Sequence, residues 1–438
     1  MCHPSKITII GAGYVGLISA CSLAQLGSIV TCVDCNQEKI ELLTHGIVPL
    51  YEPELKEIIT LNTQENRLFF STDIDASIRD ADIIIVTVGT PMNVAGQPDL
   101  YALNSVISTI GNNLINYKVV CIKSTVPPGT NEAIKHTLKQ CCKHENFDVV
   151  SNPEFLREGS ALSDFFQKNP IVLGSDSDKA LQIMETLYKS LIDSGRTLIK
   201  TNFITAELIK YAWNAFSAIK ISYVNELAQL CNKVNANIAD LAFGASFSDD
   251  LLPIRSIKPG PGIGGSCLPK DTRAFVSFAT QCGIDLEILK SAIQSDIHHQ
   301  EDILANFYQL IDNDLKGKTV AILGLSFKAN TDDIRCSPAI TVIENLLSKE
   351  AHIKVYDPQA MEHMKKLFPM ITYCYNAYHT VQDADVLVLL TDWDEFKTLD
   401  LTCVANLMKQ RRVMDLRNIW RPHALECAGF IYKNLGRM

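Results

Sequence analysis

The chain has 438 residues, 47% hydrophobic and 20% charged, with a net charge of −9. Such a length exceeds one hydrophobic core and predicts about three domains; the composition excludes a disordered chain, and the acidic balance argues against a nucleic-acid partner. No polybasic run, signal-like start or apolar run of membrane-spanning length is present, so a soluble, cytoplasmic protein without a membrane partner is expected. The fourteen cysteines are scattered, several inside apolar runs (Cys21, Cys121, Cys231), as for reduced thiols. Cys32 and Cys35 form a C-x-x-C, but no second pair or nearby histidine completes a ligand set, so no metal site is expected.

In chain order, residues 7–10 (Ile-Thr-Ile-Ile) read as a buried strand running into Gly11-Ala12-Gly13-Tyr14-Val15-Gly16. Residues 17–26 are helical in composition, and Gly27 ends that helix. A second strand over 29–33 finishes at Asp34. Apolar runs at 83–88, 119–122 and 148–150 each precede a turn-forming cluster and are separated by amphipathic stretches, which predicts a parallel sheet with helices on both faces. Residues 204–235 contain neither glycine nor proline, and Leu208, Tyr211, Ala215, Ile219, Tyr223, Leu230 and Val234 keep helical spacing. One long helix is expected there, bridging two domains and forming a subunit interface. The pattern restarts at 318–324, continues through a helix over 339–347 and a strand over 353–356 ending at Asp357, and adds strands at 384–390 and 413–415. The fold class is therefore α/β, with two Rossmann-like, doubly wound parallel-sheet domains joined by a long central helix. The expected division is 1–200, 201–300 and 301–438.

A G-x-G-x-x-G alone is a weak signal. Here it follows a strand, opens a helix and is followed by an acid, Asp34, at the end of the next strand. Gly11 allows the tight turn, Gly13 lets a pyrophosphate approach the backbone at the helix start, and Gly16 completes the motif. Asp34 would accept ribose hydroxyls and repel a 2′-phosphate, which favours NAD over NADP. The second unit keeps only the first glycine, in Gly324-Leu325-Ser326-Phe327-Lys328, and should bind something other than a dinucleotide in that manner.

The most pointed chemistry lies in Gly264-Gly265-Ser266-Cys267-Leu268-Pro269-Lys270-Asp271. A helix starting near Cys267 would aim free N–H groups at the sulfur and favour thiolate; taken alone, the run is equally a tight turn with an inert cysteine. Clusters at three strand ends, Gly89-Thr90-Pro91, Lys123-Ser124-Thr125 and Asn152-Pro153-Glu154-Phe155-Leu156-Arg157-Glu158, look like one wall of an active site. Lys210 and Asn214, four apart, share a face of the long helix. The doublet His298-His299 has no ligand-like partner in the sequence and reads as surface or packing. A thiol beside a nicotinamide can turn an aldehyde into a thiohemiacetal and then a thioester, which water releases as an acid.

With these pieces in place the whole chain resembles the nucleotide-sugar 6-dehydrogenases. The resemblance is carried by GAGYVG at 11–16, VGTP at 88–91, KSTVPPGT at 123–130, NPEFLREG at 152–159, PGPGIGGSCLPKD at 259–271 and FKANTDDIR at 327–335. It implies a four-electron oxidation of a sugar 6-hydroxyl using two NAD, with UDP-glucose as substrate and GDP-mannose or a UDP-N-acetylhexosamine as alternatives. It further implies Cys267 as nucleophile, Asp271, Lys210, Asn214 and Thr125 as residues that orient water and stabilise the oxyanion, and Glu154 in thioester hydrolysis. By the same resemblance Gly11, Gly13, Tyr14, Val15, Gly16, Asp34, Lys39, Thr90, Thr125, Glu158 and Arg335 would contact NAD. Glu154, Phe155, Leu156, Lys210, Asn214, Arg255, Lys258, Gly262, Gly264, Lys328 and Arg417 would line the UDP-sugar site, and the long helix would form a homodimer. Members that oxidise UDP-glucose carry an arginine seven residues before the loop's lysine; that place is Leu251 here, and Arg255 is the nearest arginine.

Overall fold

The computed structural model describes residues 5–93, 96–142, 146–245 and 258–437, apart from the side chain of Lys168. The expectations placed on Leu251 and Arg255 lie outside the described residues. The chain divides into two compact units, residues 1–213 with 273–278, and residues 214–272 with 279–438.

The first unit is built on eight strands: β1 (Lys6–Ile10), β2 (Ile29–Val33), β3 (Leu68–Ser71), β4 (Ile83–Val86), β5 (Lys118–Ile122), β6 (Phe147–Ser151), β7 (Ile171–Gly174) and β8 (Leu198–Thr201). Their order across the sheet is β3-β2-β1-β4-β5-β6-β7-β8. Neighbours are parallel, with Ile9 opposite both Cys32 and Ile85, except that β6 and β7 meet antiparallel through the single pair Ser151 and Gly174. Strands covered on both faces must be apolar at every position, and Ile83, Ile84, Ile85 and Val86 are all buried. Each such side chain contributes roughly 2 kcal/mol of burial.

Strand order reverses between β1 and β4, where open sheets of this kind leave a crevice at the carboxyl ends. The glycine motif and the Gly89-Thr90-Pro91 cluster follow these two strands. The helix Tyr14–Gln25 ends as the sequence indicates, with Gly27 at φ +99° just beyond it.

The second unit holds six strands, β9 (Thr319–Leu323), β10 (His352–Tyr356), β11 (Thr372–Tyr373), β12 (Val386–Leu389), β13 (Arg412–Asp415) and β14 (Ile431–Asn434), all parallel, in the order β11-β10-β9-β12-β13-β14. The central helix runs Phe203–Val234, 32 residues without a break, and Asn235 in left-handed backbone (φ +58°) stops it. Within the second unit its far half buries Ala228 and Cys231 in one apolar cluster with Val320, Ile322 and Phe307. Among the described residues no helix is long and apolar enough to cross a membrane.

Candidate active site

In the first unit the glycine motif adopts the geometry that its sequence predicts. Gly11 has φ +108°, and a Cβ on Gly16 would lie 1.8 Å from the Gly11 carbonyl oxygen, so neither position admits a side chain. A Cβ on Gly13 would meet nothing within 4 Å, leaving open backbone at the start of the helix, and no side chain caps that end. Its first-turn N–H groups are available to an anion. Tyr14 and Val15 begin that first turn.

Asp34, at the end of β2, accepts from Ala12 N–H (2.8 Å), Asn36 N–H (3.0 Å) and the Lys39 ammonium (2.9 Å). Burial pushes its pKa up, but Lys39 and the two N–H groups outweigh that and hold the carboxyl below its ordinary value. The site therefore keeps an ionised acid beside the turn, as a ribose partner requires. Thr90 donates to the Thr125 carbonyl (2.8 Å), tying the ends of β4 and β5 together, and Glu158 is half-buried in the loop after β6.

The same loop presents Glu154, which is buried and paired with the equally buried Lys210 at 3.0 Å. The other Glu154 carboxylate oxygen accepts the Leu156 N–H. Phe155 packs edge-on against Trp213 (5.2 Å between centroids), with the Lys210 ammonium 5.5 Å from its ring. Behind this group Lys123 donates to Asn152 Oδ1 (3.2 Å), which also accepts from Tyr188 (2.7 Å); burial pulls the Lys123 pKa down.

In the second unit Cys267 is exposed and sits at the N-cap of the helix Leu268–Gln281, its carbonyl accepting the Asp271 N–H at 2.8 Å. The cap position gives the sulfur the favourable end of the helix dipole. Asp271, 1% exposed, accepts from the Asn214 amide at 2.6 Å and pairs with Lys270 through its other oxygen. Both of its oxygens are therefore engaged by neighbours that hold the carboxylate in place.

Gly265 N–H donates to the Arg335 carbonyl (2.9 Å), and a Cβ on Gly264 would come 2.8 Å from Phe327 Cβ, so the cysteine loop lies directly on the loop after β9. Arg335 forks onto Asp333 (2.7–3.0 Å), while Lys328 lies 5.4 Å over the Phe327 ring. Arg417 donates to the carbonyls of Leu390 (2.7 Å) and Phe327 (2.6 Å). Lys258 lines a cavity of about 200 Å³ with Phe243, Pro259, Asn418 and Arg437.

The second glycine turn differs from the first in its acid. Asp357, fully buried at the end of β10, accepts from the N–H groups of Leu325 (2.7 Å) and Ser326 (3.1 Å), from Trp393 Nε1 (3.1 Å), and from Gln359 and Ala360 N–H. Its lone pairs are spent on the protein, so Asp357 is not placed to accept ribose hydroxyls as Asp34 is.

One residue of the first unit escaped the sequence reading. Glu52 is buried and accepts from the Tyr14 hydroxyl, Gly159 N–H (2.6 Å) and Ala161 N–H (2.7 Å), joining the glycine-motif helix to the loop that carries Glu158. Burial first, and the Glu52 charge second, raise the Tyr14 pKa far above its ordinary value, so the phenol stays a donor. No spacing rule links positions 14, 52 and 159.

A unit whose glycine turn leaves open backbone at a helix start beside an ionised acid can seat a dinucleotide, which defines the class as a dinucleotide-dependent oxidoreductase. Residues 5–192 match the UDP-glucose/GDP-mannose dehydrogenase family's NAD binding domain, residues 204–297 its central domain and residues 321–422 its UDP binding domain. The chain is 39% identical over 434 residues to UDP-glucose 6-dehydrogenase TuaD of Bacillus subtilis, covering 99% of this chain and 93% of that protein. It is 40% identical over 433 residues to UDP-glucose 6-dehydrogenase of Rickettsia typhi, covering 98% and 99%. Its fold superposes on a UDP-glucose dehydrogenase from Pyrobaculum islandicum with a TM-score of 0.92 at 30% identity, covering 100% and 98% of the two chains. The protein belongs to the UDP-glucose/GDP-mannose dehydrogenase family, and its cofactor is NAD.

Proposed function

We propose that the protein oxidises the 6-hydroxyl of UDP-glucose to the carboxylate, consuming two NAD and one water per sugar. The choice of UDP-glucose over GDP-mannose and the UDP-N-acetylhexosamines rests on relatives near 40% identity that carry that activity in their names. The observation that carries the chemistry is Cys267 at a helix N-cap, four residues before an Asp271 that holds the Asn214 amide.

NAD, when bound, accepts a hydride in each oxidation. In the first, the sugar hydroxyl passes its proton to a water oriented by Thr125 and Asp271 as the alcohol becomes an aldehyde. Cys267 Sγ then adds to the aldehyde carbon, and the oxygen of the resulting thiohemiacetal carries negative charge that Lys210 and the Asn214 amide are suited to stabilise. After the second oxidation the carbon is a thioester on Cys267. A water, oriented by Thr125 and Asp271, attacks it; Glu154 takes that water's proton, the C–S bond breaks, and thiolate and carboxylate separate.

In this reading residues 1–200 bind NAD through the glycine motif, Asp34, Lys39, Thr90, Thr125 and Glu158, and Arg335, from 301–438, adds a further contact to the cofactor. Residues 201–300 form the central helical, dimerising part. Residues 301–438 hold the UDP-sugar, with Phe155, Leu156, Lys258, Gly262, Gly264, Lys328 and Arg417 completing the site. Dimerisation through the central helix is supported by Phe216, Tyr223 and Leu230, spaced by seven and each about half exposed (52%, 47% and 55%). A reducing, cytoplasmic setting is supported by the free state of every cysteine among the described residues. A rate comparison among UDP-glucose, GDP-mannose and the UDP-N-acetylhexosamines tests the assignment: UDP-glucose is expected to give the highest kcat/KM, and a higher value for any other would overturn it.

A further inference from the structure

The stretch Pro259-Gly260-Pro261-Gly262-Ile263 leads into the cysteine loop and is poor in means of holding itself. Its two prolines lack N–H groups, and Gly262 takes a φ of +125°. Only Gly260, Gly262 and Ile263 can donate. Two of those three N–H groups are taken by side chains of helices in the same unit: Gly260 N–H by Asn225 Oδ1 at 2.9 Å, and Ile263 N–H by Asp296 Oδ1 at 2.8 Å.

The Gly260 carbonyl is gripped as well. His299 Nε2 lies 2.7 Å from it, and since a carbonyl can only accept, the proton is on Nε2. His299 Nδ1 then accepts from the Gln229 amide at 2.9 Å, which fixes the neutral tautomer. Burial, which lowers the His299 pKa, agrees with that state.

Asp296 and His299, three apart on the helix Glu287–Leu310, share a face, and Asn225 comes from the central helix. All three side chains are buried. Pressed against the gripped segment is Arg417: its Nη1 would lie 3.1 Å from a Cβ on Gly260, while its Nη2 donates to Phe327 O.

We infer that Asn225, Asp296 and His299 are positioning residues for the nucleotide-sugar site, a polar clamp that fixes Gly260 to Ile263 against Arg417 and so sets the approach of the sugar nucleotide. The inference rests on the reading of this loop and Arg417 as the UDP-sugar site. Cys267 has separate anchors at the cap of its own helix, so the clamp governs substrate affinity more than the chemical step.

The test uses H299A, H299Q and N225A in the full-length enzyme, with kcat, KM for UDP-glucose and for NAD, calorimetric Kd for UDP, and melting temperature. Loss of one buried hydrogen bond of this kind predicts about a tenfold rise in KM for UDP-glucose and in Kd for UDP in H299A and N225A. The KM for NAD should stay unchanged and kcat should move less than about threefold. In H299Q the glutamine amide can donate to the Gly260 carbonyl and accept from Gln229, so its constants should return to within about threefold of wild type. If H299A does not fold, N225A carries the same expectation. An unmoved KM and Kd in both alanine variants, an equal loss in both KM values and kcat, or no rescue in H299Q would overturn the clamp while the UDP-glucose reading stands. A wild-type enzyme that neither binds UDP nor reduces NAD with UDP-glucose would overturn that reading and the clamp with it.

Discussion

Asn214 donates its side-chain amide to Asp271 Oδ2 at 2.6 Å, and both groups are buried. Asp271 spends its other oxygen on Lys270. An amide has two N–H groups, so the one left over is aimed by a carboxylate that cannot turn away. D271N would keep the shape but abolish the charge that holds Asn214 and Lys270. Removing the orientation of one oxyanion donor predicts a kcat loss of about 10²-fold, with the KM for NAD near wild type. Steady-state kinetics decide it; a kcat within threefold of wild type would show that Asp271 does not serve the chemistry.

Asp34 accepts three hydrogen bonds or ion pairs from the protein and still carries 12% side-chain exposure, whereas Asp357 is fully buried. D34A removes the carboxylate that would accept ribose hydroxyls and releases Lys39. The expected outcome is a rise in KM for NAD of about tenfold or more, from the loss of charged hydrogen bonds, and a narrower NAD-to-NADP preference because the repelling charge is gone. Initial rates with both cofactors measure this, and an unchanged preference would contradict it.

His299 makes a prediction for stability against pH. Its folded pKa is lowered from the ordinary 6.5, by burial first and against the raising effects of the Gly260 carbonyl, Asp296 and Asp302. The unfolded state then binds more protons than the folded one as pH falls through 6.5 toward the folded value. Stability from this group is thus complete above about pH 7 and is lost progressively on acidification below about 6.5. Asp296, whose carboxyl is raised by burial, works in the opposite sense, so the informative quantity is the difference between wild type and H299Q. Thermal melts from pH 7.5 to 5.5 should show wild type losing more stability than H299Q; parallel curves would contradict the account.

Phe216, Tyr223 and Leu230 form one exposed stripe on the central helix. L230E places a charge on that stripe and is expected to shift the protein toward monomer in light-scattering chromatography, with the isolated fold retained by circular dichroism. A wild-type protein that already elutes as a monomer, or an unaffected dimer in L230E, would remove the helix as the interface.

Much of this fold is legible from the chain because the central strands are continuous apolar runs: β1, β4, β5, β9 and β12 are all read from sequence and lie in the interior of the sheets. The strands that escape are mainly short ones at or beside a sheet edge. β8 (Leu-Ile-Lys-Thr) has no fully buried residue, Ile431 of β14 is 63% exposed, and β11 has two residues, so none shows an apolar run against its background. β7 is buried, but it is four residues long and follows Pro170, too brief for periodicity to register.

The site divides in the same way. Gly11, Gly16, Asp34 and Cys267 are legible because backbone geometry or reactivity demands their residue types at fixed spacing. Glu52, Asn225, Asp296 and His299 are not, since these partners lie 33 to 109 positions away and only the fold sets those distances. The doublet His298-His299 shows the limit plainly: adjacent in sequence and identical in type, one is exposed and the other carries the grip on Gly260.

Cys267 is proposed to carry the sugar carbon through the second oxidation. The direct measurement is the yield of NADH per UDP-glucose consumed to completion, in wild type and in C267S. Wild type is expected to yield two NADH per sugar with UDP-glucuronate as the product, and C267S no such turnover. One NADH per sugar in wild type, or full two-NADH turnover in C267S, would contradict it.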